Sequence, residues 1–335
     1  MMMSSLTTLD VSNWDTSQVT NMSFVFWNLP SLTNLDISNW DTTSMAGMFV
    51  GASSLTYLDV SNWDTSSVVS MQGMFSGANS LTSLDVSNWD TSQATSMNGM
   101  FANTSSLTYL EISNWDTSQV TDIMSMFLGA SSLTSLDVSN WDTNQVTGMS
   151  RVFEGASSLT SLDLSNWDTN NVIVMNNMLS ETSSLSVLTL GANFEFIDDS
   201  LFEVLGLMSH ADLPPINPIA KYTGYWQNVG SGTIENPLGN HVLTSAALMA
   251  SFNGSTMADT FVWQPANESP FNILSELIAE AEARNQSNYT PRSWADMMSR
   301  LTFARNVYNN STATEAQINE ARASLEAALA ALVER

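Results

Sequence analysis

Two rows of carboxylates recur along the first part of the chain at a fixed spacing. One row is Asp10, Asp36, Asp59, Asp85, Glu111, Asp137 and Asp163. The other is Asp15, Asp41, Asp64, Asp90, Asp116, Asp142 and Asp168, each followed by threonine. Paired carboxylates can divide acid and base roles when their environments push their pKa values apart. They can also collect cations, although calcium wants six to eight oxygens. A pair repeated seven times is better explained by the repeat than by tuned catalysis. Other catalytic signals are missing: the only histidines are His210 and His241, no His-Glu-x-x-His or Gly-x-Ser-x-Gly motif occurs, and there is no cysteine. A glycine loop that would cradle phosphate is also lacking. The sequence therefore points to a protein that is not an enzyme and needs no cofactor, with weak calcium binding along the acidic rows as an open option.

Charge narrows the partners. The 335 residues carry a net charge of -25, from 33 acidic and 8 basic side chains. Up to residue 190 there are 17 Asp and Glu, and Arg151 is the only basic residue. Such a surface repels phosphate backbones and anionic headgroups, so nucleic acid is excluded as a partner and direct membrane insertion is not expected. No apolar run reaches the roughly 20 residues of a membrane span. Basic protein surfaces, cations and neutral glycans remain. A signal peptide and an anchor, if the protein is secreted, are expected to lie outside this sequence.

The elements that hold these carboxylates follow from an internal repeat. Tryptophan recurs within Asn-Trp-Asp at Trp14, Trp40, Trp63, Trp89, Trp115, Trp141 and Trp167, in steps of 26, 23, 26, 26, 26 and 26. One coil is thus three residues short, between Asp41 and Met45. Leu81, Leu84 and Val86 follow Leu-x-x-Leu-x-Leu, the pattern of a strand with Leu84 and Val86 on its core side. Ser83, Asp85 and Ser87 then face outward. Asn88 falls near the place of a buried asparagine that serves neighbouring backbones. Met97, Met100 and Phe101 stand at i, i+3 and i+4, which predicts a short helix or 3-10 segment. Each coil cannot bury its apolar face alone and must stack on its neighbours.

The unit Leu-Thr-Ser-Leu-Asp-Val-Ser-Asn-Trp-Asp-Thr followed by Met-x-x-Met-Phe resembles the BspA-like leucine-rich-repeat surface proteins of Gram-positive bacteria and mycoplasmas. The resemblance implies an α/β leucine-rich-repeat solenoid over residues 1–190, with a parallel sheet on one side and short helices on the other. It also implies an extracellular, cell-surface location and a role in adhesion.

On that fold the first acidic row lies on the open sheet face. Like charges about 5 Å apart repel by roughly 1 kcal/mol per neighbouring pair even in water. Flanking serine hydroxyls, raised pKa values, cations or a basic ligand would relieve them. The candidate ligand-binding residues are Asp36, Tyr57, Asp59, Asp85, Tyr109, Glu111, Asp137 and Asp163. The tyrosines stand where the repeats disagree, and Tyr suits recognition surfaces. The expected partner is a host or matrix protein or a mucin-type glycan, bound by a chain that is monomeric or weakly self-associating. A structural spacer without its own ligand is the alternative. The second acidic row suits turns, where Asp bonds its own backbone. The tryptophans are either packed in the coil or exposed as a sugar platform.

After the repeats, residues 191–212 are expected to cap the solenoid and link onward, with Asp198 and Asp199 at a helix start. Residues 213–266 form a small β-containing module, with a hairpin around Tyr222, Tyr225 and Trp226, a helical turn capped by Ser245 and a strand at Thr260–Pro265. Residues 267–335 read as three helices: Phe271–Arg284, a second opening at Thr290-Pro291, and a third opening at a Thr314/Gln317 capping box. Asn288-Tyr-Thr-Pro-Arg-Ser-Trp294 and the alanine-rich third helix look like a FIVAR domain, a family found as spacers in Gram-positive surface proteins.

Overall fold

The computed structural model describes all residues except 1–4, 12, 17, 38–39, 41–43, 198–212, 217–221, 267–269, 311–312 and 335. The expectations placed on Asp41, Asp198 and Asp199 lie outside the described residues. Two compact units divide the chain. One comprises residues 1–215 with 226–262, and the other residues 216–225 with 263–335.

In the first unit, successive coils stack in parallel with the same 26-residue offset seen in the sequence. Strand β1 (Thr8–Leu9) pairs with β2 (Asn34–Leu35), and β3 (Ser161–Leu164) with β4 (Val187–Leu190), both in parallel. A second parallel ladder links Ser70, Ser96, Asp122, Gly148 and Val174. The strand side packs as the alternation requires: Leu81 and Val86 are fully buried and Leu84 nearly so, while Asp85 is exposed.

The methionine segment departs from expectation. Met97, Met100 and Phe101 are fully buried, but residues 98–103 are a run of turns rather than a helix. Alternate amides leave the coil altogether: Gly99 donates to Met124 O (2.8 Å), Phe101 to Met126 O (2.9 Å) and Asn103 to Leu128 O (2.5 Å). The intervening amides close i to i−3 turns, as from Met100 to Met97 O and from Ala102 to Gly99 O. Two left-handed residues per coil make this possible. One set is Phe24, Gly47, Gly73, Gly99, Ser125, Arg151 and Asn177; the other is Asn28, Gly51, Gly77, Asn103, Gly129, Gly155 and Glu181, all with φ between 56° and 77°. A left-handed residue breaks an α-helix and turns successive peptide planes the same way. All N–H groups of the row then point to the next coil and all matching C=O groups to the previous one. At φ 62° Gly47 meets a second constraint of its own, because a Cβ would also sit 2.2 Å from a ring carbon of Phe24.

The asparagine ladder is also corrected. Asn62, Asn88, Asn114, Asn140 and Asn166 are exposed. The amide of Trp89 bonds Val86 O at 3.2 Å, closing a tight turn that throws the intervening asparagine outward. Among the described residues, Asn166 alone of these five bonds a neighbouring coil, to Ser139 O at 2.8 Å; the buried inter-coil bonds are made by tryptophan and threonine. Trp63, Trp89, Trp115, Trp141 and Trp167 each donate Nε1 to a carbonyl of the preceding coil at 3.0–3.3 Å. Thr65, Thr91, Thr117 and Thr143 each donate Oγ1 to the Asp carbonyl of the following coil at 2.9 Å. Indoles stack on indoles at 6.2–6.4 Å and phenyl rings on phenyl rings at 5.6–5.8 Å, nearly parallel. Both spacings suit offset stacking. Each fully buried Phe or Met adds about 1.5–3 kcal/mol by burial.

The array closes on residues assigned above to a separate module. Strand β5 (Tyr222–Asn228) pairs antiparallel with β6 (Val242–Leu243), giving the expected hairpin. Helices α1 (Ser245–Ser251) and α2 (Gly254–Met257) precede strand β7 (Asp259–Pro265). β7 lies antiparallel against β4, with Leu188 opposite Phe261 and Leu190 opposite Asp259. The sheet order β3-β4-β7-β5-β6 therefore continues the last coil. An edge strand covered in this way cannot pair with another chain. Phe194, Phe196, Phe252 and Phe261 pack edge-to-face over the end of the array at 5.0–6.2 Å. Residues 226–262 thus belong to the coil unit, and only 216–225 and 263–266 of the expected module go with the helices. The cap of α1 is Thr244, which accepts from Ala247 N; Ser245 instead donates to Pro214 O (2.6 Å) and accepts from Trp226 Nε1 (3.1 Å).

In the second unit, α3 (Pro270–Ala283), α4 (Pro291–Tyr308) and α5 (Glu315–Ala330) match the three expected helices. Leu274, Ala281, Met297, Leu301, Ala304, Ile318, Ala321 and Leu325 form their core. Pro291 opens α4, and the reciprocal Thr314/Gln317 capping box opens α5.

Candidate functional site

The outward face of the Leu-x-Leu segments carries the first acidic row. From Asp59 to Asp163 each carboxylate there is turned back on the serine two residues later. Asp59 accepts from Ser61, Asp85 from Ser87 and Asp137 from Ser139, through Oγ at 2.7–2.8 Å and through the amide at 3.1–3.2 Å. Asp163 accepts from the Ser165 amide at 2.9 Å. Glu111 accepts from Ser113 and, at 2.7 Å, from the hydroxyl of Tyr109. The serines therefore relieve the like-charge row. The Ser87 hydroxyl and amide hold the Asp85 carboxyl below its ordinary pKa, and Ser113 and Tyr109 do the same for Glu111. Tyr109 in turn is raised, by its bond to Glu111 and then by that charge.

These residues are brought together in one groove of about 370 Å³, lined by Tyr109, Glu111, Asp137 and Asp163, with Ser135 and Ser161 between them. Val187 and Thr189 of β4 close one end. Tyr57 and Tyr109 are 60% and 57% exposed, far more than a core tyrosine would be. Asp36, Tyr57, Asp59 and Asp85 share the face but do not line the groove. Ser135 and Ser161 occupy the same variable position as Tyr57 and Tyr109, two residues before the carboxylate, and Ser139 is the serine two residues after it.

The second acidic row locks turns, as its Asp-Thr pattern suggested. Asp64, Asp90, Asp116, Asp142 and Asp168 accept from the amide two residues later at 2.9–3.0 Å. The six indoles from Trp40 to Trp167 are at most 4% exposed, which leaves them no face for sugar. Among the described residues no three His, Cys, Asp or Glu side chains gather as a metal cage.

Stacked repeat coils with a solvent-facing acidic groove, followed by a three-helix unit, define a modular repeat protein. The family described as Mycoplasma protein of unknown function, DUF285, matches residues 1–109 and 107–190, and the FIVAR domain matches residues 271–333. The chain belongs to the DUF285 family and carries a FIVAR domain at its C-terminal end. Both are typical of bacterial surface proteins, and together they support a cell-surface, extracellular protein. No curated protein matches the chain. Among the described residues no helix is long and apolar enough to cross a membrane.

Proposed function

We propose that residues 1–190 are a BspA-like leucine-rich-repeat solenoid whose acidic sheet face binds a host or matrix protein or a mucin-type glycan, with no catalytic step of its own. One observation carries this reading: the groove gathers Tyr109, Glu111, Asp137 and Asp163 on an open face, away from every packing column. Carboxylates already satisfied by serine stay ionised and keep lone pairs for a second donor. A lysine- or arginine-rich protein surface matches the charge, which speeds encounter and sets specificity more than it raises raw affinity.

The test is an array of matrix proteins and mucin glycans probed with the intact chain, with and without calcium. A Glu111→Gln, Asp137→Asn, Asp163→Asn variant should lose about tenfold or more in affinity for the ligand found, mostly through charge. Unchanged binding to every ligand would remove the groove as the site. The spacer reading draws on the continuous hydrogen-bond ladder and stacked rings, which make a stiff rod; silence across the array would favour it.

A further inference from the structure

Tyr57, Ser83 and Tyr109 hold one column of the open face in three successive coils, 26 residues apart. The same column pairs in register where the strands are regular, Thr8 with Asn34 and Ser161 with Val187. At about 4.8 Å per coil, the two tyrosines rise roughly 10 Å apart with a serine between them. Ser83 is exposed, and the rings are 60% and 57% exposed. The Tyr109 hydroxyl donates to Glu111 of its own coil at 2.7 Å, which keeps that ring from folding across the gap. The three residues therefore form a slot with two aromatic walls over a small polar floor. A flat group held between two rings needs about 7–8 Å, one van der Waals contact on each side. Small rotations of the tyrosine side chains close the walls onto it.

One carboxylate stands open at this slot. Asp59 and Glu111, in the coils that carry the tyrosines, are half-buried, whereas Asp85 in the serine coil is exposed. The Ser87 hydroxyl and amide both donate to Asp85 Oδ1, at 2.7 and 3.1 Å, and hold the carboxyl below its ordinary pKa. Among the described residues no donor reaches Oδ2. The coil unit has no spare cation to put there. Arg151 is its only lysine or arginine, and Arg151 is paired with Glu154 at 2.6 Å.

We infer that Tyr57 and Tyr109 are the walls of an arginine-accepting slot, which holds the guanidinium of a partner protein over Ser83 and against Asp85. The inference rests on the acidic face being the binding face and names the side chain that one part of it takes. A guanidinium is planar and weakly hydrated, so it can stack on both phenol faces while it forks onto a carboxylate. A lysine ammonium is a compact, strongly hydrated charge with no flat face to offer. A neutral sugar could stack between the rings but would leave Asp85 without a countercharge.

The test titrates acetyl-Gly-Arg-Gly-amide and acetyl-Gly-Lys-Gly-amide, which have equal charge, into the full chain labelled with 3-fluorotyrosine. Tyr57→Phe and Tyr109→Phe assign the two fluorine resonances. Both should move along one saturating curve with the arginine peptide, and the lysine peptide should bind about two- to fivefold more weakly. Asp85→Asn should erase that preference, and so should Ser83→Tyr, which fills the slot with a third ring. Asp137→Asn with Asp163→Asn, in the groove alongside, should leave the preference intact. Equal binding of the two peptides overturns the slot while leaving an acidic face that binds cations. A larger response to N-acetylgalactosamine than to the arginine peptide overturns it in favour of sugar. Still resonances with either peptide also overturn it, and the acidic face itself falls only if the matrix-protein array is silent as well.

Discussion

Trp89 donates its indole N–H to the carbonyl of Val60, 29 residues earlier, at 3.0 Å inside the packed coil. The same bond recurs from Trp115 to Val86 and from Trp167 to Val138. The indole thus joins coils in two ways, by stacking and by a buried hydrogen bond that an aromatic ring without a donor cannot make.

Trp115→Phe should keep much of the stacking and lose the bond, leaving Val86 O with the Trp89 amide alone. The expected cost is about 0.5–1.5 kcal/mol, and Trp115→Ala should cost about 3–5 kcal/mol. Urea denaturation followed by circular dichroism would measure both. A Phe variant as stable as the parent would show that the bond contributes nothing.

Thr117 is 3% exposed and donates to Asp142 O at 2.9 Å. Thr117→Val preserves the shape and removes the donor from the part-buried Asp142 carbonyl, so it should destabilise by about 1 kcal/mol. Thr82→Val, on the exposed strand face, should stay within about 0.5 kcal/mol of the parent. Equal effects at the two sites would refute the clamp.

Gly99 stands at φ 62°, and a Cβ there would meet nothing closer than Ala102 Cβ at 4.0 Å. Gly99→Ala therefore isolates the backbone cost of a left-handed residue, about 1–2 kcal/mol. Ser125, at φ 56°, offers the reverse experiment: Ser125→Gly should be neutral or slightly stabilising despite the greater freedom of the unfolded chain. Thermal unfolding of the pair would decide. A helix in this segment would instead make the alanine variant the more stable one.

The pH dependence follows from Asp85 and Glu111, whose folded pKa values are depressed by their serine partners. Their contribution is complete above the unfolded values near pH 4 and fades as pH falls through the lower folded values. Ser113→Ala should move the Glu111 titration upward toward its ordinary value, as carboxyl carbon NMR would show. A titration that does not move would assign the shift to some other group.

Thr314 accepts from the Gln317 amide while Gln317 Oε1 accepts from the Thr314 amide at 2.8 Å. Thr314→Ala should cost about 1 kcal/mol in the helical unit. Loss of helix at a lower temperature, with the tryptophan signal of the coils unmoved, is the expected pattern. A shift of the coil signal instead would contradict it.

Much of this was legible in one dimension. The spacing of Trp14 to Trp167 defined the coil length, and the alternation around Leu84 and Val86 named the face on which Asp85 and Glu111 emerge. The cap at Thr314 and the proline at Pro291 located helix starts, because such caps act within a single turn. The glycines at 47, 73 and 99, with Asn28, Asn103 and Asn177, were visible too, but i, i+3, i+4 spacing at Met97, Met100 and Phe101 fits a run of turns as well as it fits a helix.

The sequence by itself determined the period, the buried columns and the charge of the open face, since each depends only on residue type and separation along the chain. Tertiary structure alone decided where the hydrogen bonds go. An amide at Phe101 is bonded by Met126 rather than by its own turn because a stacked neighbour lies closer than a fourth residue back can curl. For the same reason the buried tryptophan and threonine reach across every interior coil while of the exposed asparagines Asn166 does so, to Ser139 O, and Asp259–Pro265 pairs with the last strand. Contacts between residues 22 to 75 positions apart depend on the folded stack, and no local pattern encodes them.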